Sequence, residues 1–158
     1  MNQILLVEGK DDLFVFSNIF EKYQVKQSFE IIDKGGIEKL FLSISIYVKT
    51  DNSTIGIVVD ADADINSKWN SLKSILSNLG YDVPKSPNAT GTIISNDSMP
   101  TIGIWIMPNN DENGMLEDFV KQLVPSNDKL MPVVENTLID IETKSLNNYK
   151  IIHKSKAK

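Results

Sequence analysis

Cysteine is absent from the 158-residue sequence, which excludes disulfides and every zinc site built on thiolates. Arginine is absent too: all sixteen Lys+Arg positions are lysine. Planar, bidentate capture of phosphate by guanidinium is therefore ruled out. Any phosphate contact must come from lysine, backbone N–H groups or a metal ion. The single histidine, His153, stands alone in a lysine-rich tail, "KIIHKSKAK", and offers no catalytic context. No stretch approaches the roughly 18 uninterrupted apolar residues of a membrane helix, and no basic segment leads into a long apolar run at the N-terminus. Neither a membrane span nor a secretory signal is expected, and the cytoplasm is the expected compartment.

What is present suits one globular domain over residues 1–158: 41% hydrophobic and 23% charged residues can build an ordinary buried core. "ILLV" (4–7) is a continuous apolar run, as expected of a strand covered on both faces. From Asp11 the apolar positions Leu13, Phe16, Ile19, Phe20 and Tyr23 recur at helical spacing, with Asp11 or Asp12 as the cap. "FEIID" (29–33) reads as a second strand, 37–49 as a helix in which "SISIY" also suits a strand, and 55–59 as a third strand. A helix is predicted over 67–79, with Trp69, Leu72, Ile75, Leu76 and Leu79 inward. Three strand–helix alternations imply βαβ units and a mostly parallel sheet with helices on both faces. Residues 83–100 read as a loop or short hairpin insertion containing a short strand at 92–94. "IGIWIM" (102–107) is a strand, 115–124 a helix, and residues 126–158 a helical extension with a helix near 128–142.

The informative feature is acidic. "GIVVDADADI" (56–65) places Asp60, Asp62 and Asp64 directly after an apolar strand, and Glu8 follows the first strand. Ligands of open α/β sheets bind beyond the carboxyl ends of strands. In an extended chain Asp60 and Asp62 face the same side, roughly 6.5–7 Å apart. Two carboxylates about 5 Å apart repel by roughly 3 kcal/mol at an effective dielectric near 20. A divalent cation converts that repulsion to attraction, and all-oxygen donors suit Mg²⁺, with Mn²⁺ as substitute. Asp64 also suits the cap of the helix that follows, and Asp12 the cap of the first helix. Glu117 and Asp118 in "NGMLEDF" are further candidate metal ligands, or acids favoured by a helix N-terminus. Asp111 and Glu112 follow the last strand. If Glu8, Asp11, Asp12, Asp60, Asp62, Asp64, Asp111, Glu112, Glu117 and Asp118 are set aside, the net charge of −5 turns positive, so nucleic acid is an admissible partner.

"LLVEGKDD" followed some fifty residues later by "VVDADAD" resembles the TOPRIM domain, the module shared by topoisomerases, primases and several nucleases. The chain is also similar to a bacterial group of stand-alone TOPRIM-like proteins with no assigned function. The likeness rests on Trp69, "GTII" (91–94), "GIWIMP" (103–108) and "GMLEDF" (114–119). In that group further sequence would be expected after "HKSKA", so the extension looks truncated. The resemblance implies a Rossmann-like TOPRIM fold, Mg²⁺ held by Asp60 and Asp62 with Glu8, and Glu8 as general acid or base in phosphoryl transfer. Asp12 becomes a candidate outer ligand and Lys10 a candidate phosphate contact.

The expected function is thus a metal-dependent nuclease. The alternative is a noncatalytic TOPRIM-like module that binds nucleic acid, a nucleotide or a protein partner in a larger repair or defence system. An aspartyl-phosphate enzyme with Asp60 as nucleophile fits less well: Ala63 stands where threonine or valine is expected, and Glu8 has no role.

Overall fold

Four apolar segments whose alternate residues both need covering can be satisfied only by a sheet sandwiched between helices. The computed structural model, described for residues 2–26, 28–50 and 52–146, has that α/β, Rossmann-like architecture. Its elements are β1 (Asn2–Val7), α1 (Lys10–Lys22), β2 (Glu30–Asp33), α2 (Ile37–Val48), β3 (Asn52–Asp60), α3 (Ile65–Asn78), β4 (Thr92–Asn96), β5 (Met99–Met107), α4 (Leu116–Gln122) and α5 (Met131–Thr143). The sheet order is β2-β1-β3-β5-β4; only β4 runs antiparallel.

Strand parity divides the core. Ile4 and Leu6 of β1, Ile55, Ile57 and Val59 of β3, and Ile102, Ile104 and Ile106 of β5 face α2 and α3. On the other side, Val7, Val58 and Met107 meet Phe16 of α1 and Leu116 of α4. Many of these side chains are fully buried, each contributing roughly 1.5–3 kcal/mol against exposure. Gly56 belongs to this packing: a Cβ there would lie 2.6 Å from Leu5 Cδ1.

The chain steps from β1 to β2 with α1 on one face, then returns across β1 to β3 with α2 on the other. Crossovers of one hand require the helix to change face when the direction of travel reverses. The reversal falls between β1 and β3, whose following helices pack on opposite faces; in open α/β sheets ligands bind at the carboxyl ends of strands at such a reversal.

The short strand expected at 92–94 is β4, and with β5 it forms an antiparallel hairpin that supplies the edge of the main sheet. One expectation changes. The first helix begins at Lys10 with Gly9 at its cap position, because Asp12 bonds back to the Gly9 N–H instead of standing outside the helix. The last helix, α5, has no fully buried residue. Residues 147–158, which include His153, lie outside the described residues. Among the described residues no helix is long and apolar enough to cross a membrane.

Candidate functional site

β1 and β3 are neighbours, so Glu8, which follows β1, and Asp60, which ends β3, meet at the carboxyl ends of the strands. The Asp60 N–H donates to Glu8 Oε1 at 2.9 Å. The loop before α2 packs on the backbone of the same residue, with Gly36 N–H donating to Glu8 O at 2.7 Å. Asp60 Oδ1 accepts the N–H of Leu116, at the start of α4, at 2.9 Å. Each acid is therefore fixed by a main-chain donor from another element, and each keeps its second carboxylate oxygen for another partner.

Beyond Asp60 the chain stops being a strand. Ala61 N–H still reaches Met107 O, but Asp62 adopts φ +54° and forms a two-bond bridge to Gly114. The expectation that Asp60 and Asp62 share a face assumed an extended chain, and this turn removes it. Asp62 is exposed and its Oδ2 accepts from Lys68 Nζ at 2.8 Å. Asn113 clamps the same loop, accepting from Ile65 N–H at 2.9 Å and donating to Ala63 O at 2.7 Å.

The remaining candidates separate by role. Asp64 is the cap of α3, its Oδ1 accepting from Asn66 and Ser67 N–H; this is the helix-capping alternative. Asp12 is buried and accepts from Gly9 N–H at 2.8 Å, so it also caps. Its charge nevertheless reaches Asp60 and Glu8. Asp118 Oδ2 accepts from Met115 N–H, and Glu117 is near enough to act electrostatically on Asp12. Phe16 stacks on Phe119 at 5.9 Å between ring centroids, which ties α4 to α1 and brings this second acidic pair to the first. Asp111 and Glu112 are exposed in a turn organised by Asn109. Lys10 is exposed and forms no ion pair among the described residues.

Electrostatics follow from this crowding. Burial, then the charges of Glu8, Asp12 and Asp62, push the Asp60 carboxyl up to about 8 against the opposing Leu116 N–H. Burial also raises Glu8 and Asp12 above the usual carboxylate range. Among the described residues no three acids form a ready-made metal cage. The donor chemistry still fits a hard divalent cation, because Glu8 and Asp60 offer leftover oxygens where burial and neighbouring carboxylates crowd negative charge.

Two contributors escape a reading of the sequence. Lys68 has a faint signal: a cap at Asp64 puts it one helical turn inward, beside its own acids. Asn113 has none, since it sits in an asparagine-rich turn like any other loop former. Gly114 shows how tightly that turn is built. A Cβ there would lie 2.7 Å from Asp118 Oδ2 and 3.1 Å from Pro108 Cδ, at φ +145°. Gly114→Ala is expected to destabilise the protein by roughly 1–3 kcal/mol, read as a lower midpoint in urea denaturation.

A family model described as "Protein of unknown function (DUF3226)" matches residues 2–158, and the chain belongs to that family. No curated protein and no solved structure matches it.

Proposed function

We propose that this protein is a Mg²⁺-dependent phosphoryl-transfer enzyme, a nuclease that cleaves nucleic-acid phosphodiesters at Glu8, Asp60 and Asp62. The observation that carries the reading is the pairing of Glu8 and Asp60 at the sheet's reversal point, with Asp60 driven to about 8 by burial and like charges. Such a carboxylate ionises at neutral pH only if a cation arrives, and strongly perturbed acids in a crevice mark functional sites. The resemblance to TOPRIM domains, through "VEGKDD" and "DADAD", supports the same assignment and suggests nucleic acid as the partner. Asp60 and Asp62 would hold the cation, with Glu8 beside them; Asp12 and Glu117 would supply outer negative charge. When bound, the metal would neutralise charge building on the phosphate.

Glu8 is the candidate acid–base residue. One of its oxygens is committed to the Asp60 N–H, the other is left to exchange a proton, and burial raises its pKa above the usual carboxylate range. In hydrolysis the group would take a proton from water as it attacks phosphorus, or give one to the departing sugar oxygen as its P–O bond breaks.

Calorimetric titration with Mg²⁺ and Mn²⁺ should show saturable binding that Asp60→Asn/Asp62→Asn abolishes. Glu8→Gln should keep metal binding within a fewfold and lower cleavage of DNA or RNA by about 10²–10⁴-fold. Absence of metal binding in the wild-type protein, or full activity in Glu8→Gln, would overturn the assignment.

A second reading draws on Lys68, which already partly neutralises Asp62 and Glu8. On that reading the module binds a nucleotide, nucleic acid or protein partner without cleavage. It expects Mg²⁺ to promote binding while no substrate is cut.

A further inference from the structure

The ammonium of Lys68 is inside the acidic cluster, whereas a lysine normally buries its stem and leaves its charge in water. Nζ lies 2.8 Å from Asp62 Oδ2 and 3.9 Å from Glu8 Oε1, and only 11% of the side chain is exposed. It thus touches two of the three acids assigned above to the cation. Its backbone is fixed independently: Lys68 N–H donates to Asp64 O at 3.2 Å, and the adjacent Trp69 is buried in the core at 2% exposure. Only side-chain torsions need change for the ammonium to leave Asp62.

We propose that Lys68 is the resident counter-cation of this site and its phosphate ligand. It neutralises Asp62 and Glu8 until a divalent cation displaces it, and it then binds the substrate phosphate. The proposal rests on the phosphoryl-transfer reading and assigns the cationic role that reading lacks.

Two positive charges cannot share Asp62 and Glu8 at these distances without strong mutual repulsion, so metal entry must expel the ammonium. A half-buried ammonium so released needs another anion within reach of its stem, and the phosphate of the substrate is the anion the reaction delivers there. The composition leaves few rivals. There is no arginine, and Lys10 is exposed without an ion pair among the described residues. Lys34 is placed over the Tyr47 ring at 5.0 Å with a 3.4 Å bond to its hydroxyl.

The test is calorimetric titration of wild type, Lys68→Gln and Lys68→Met, first with Mg²⁺ alone and then with inorganic phosphate in saturating Mg²⁺. Both neutral variants should bind Mg²⁺ about tenfold more tightly than wild type and phosphate about tenfold more weakly. Lys68→Arg, which keeps the charge, should restore weak Mg²⁺ binding and phosphate binding together. If the folded neutral variants, checked by circular dichroism, bind Mg²⁺ no more tightly than wild type, or bind phosphate equally well, the role of Lys68 is refuted while the metal site stands. If neither wild type nor the neutral variants bind Mg²⁺, the phosphoryl-transfer reading itself fails.

Discussion

Asp60→Asn should abolish activity and yet make the protein more stable at alkaline pH. In the folded chain the Asp60 carboxyl is raised from 3.8 to about 8, so the folded state holds its proton more tightly than the unfolded state does. That contribution to stability is fully present below about pH 4. It declines through neutrality and is gone once pH passes about 8. A shift of about four units sets a ceiling near 6 kcal/mol. Because Glu8, Asp12 and Asp60 titrate as a coupled set, a realised effect of roughly 2–4 kcal/mol is expected for the single replacement. The asparagine side chain carries no charge at any pH and would still present an oxygen to the Leu116 N–H.

Thermal melts in EDTA should therefore place Asp60→Asn about 5–10 °C above wild type at pH 8, with the curves converging toward pH 4. Added Mg²⁺ should stabilise wild type at pH 8 and leave the variant unmoved. On the proposed nuclease reading, cleavage should fall at least about 10³-fold, as expected when a site loses the ligand that brings its cation. Parallel melting curves across the pH range would refute the electrostatic account of Asp60. Full activity in the variant would refute its role as a ligand.

The second large effect lies behind the site. Trp69→Ala should lower stability by about 3–5 kcal/mol, the usual cost of removing a large aromatic from a packed core. Trp69 is 2% exposed, packs with Leu72 and Leu76 of α3 against the sheet, and donates through Nε1 to Lys85 O at 3.1 Å. The alanine variant would leave a cavity and remove the hydrogen bond to the Lys85 carbonyl. Trp69→Phe fills most of the space and loses only the hydrogen bond, so about 1–2 kcal/mol is expected. Urea denaturation should report both as shifts of the midpoint with unchanged slope. A loss below about 1 kcal/mol, under the usual range for such a truncation, would mean that α3 is not anchored through this ring.

Local chemistry makes much of the architecture readable. "ILLV", "GIVV" and "IGIWIM" are apolar at successive positions, and only strands covered on both faces need that pattern. Helical spacing in 37–49 and 67–79 marks α2 and α3, and the acids that close the apolar runs put Glu8 and Asp60 at the carboxyl ends of β1 and β3. The start of α1 is misread because a cap set by Asp12 onto Gly9 looks, in one dimension, like an aspartate outside the helix. β4 is legible as a short strand at 92–94, but its place at the edge of the main sheet is not, because that place depends on its pairing with β5.

The sequence by itself determined the mostly parallel α/β class, the two-faced core and the identity of the acids, since each depends on periodicity or strand-end position within a few residues. Tertiary structure alone decided which acids act together. The reversal between β1 and β3 joins Glu8 to Asp60 across 52 residues, and the Leu116 N–H reaches Asp60 from 56 residues away. Asp62 turns out of the strand to bridge Gly114 and meet Lys68, a partner no strand periodicity reveals. Burial, a property of the assembled fold, then separates Asp60 at about 8 from an ordinary solvated aspartate. Residue type supplies the charge, but distance and dielectric decide its chemistry, and both are set by segments far apart in the chain.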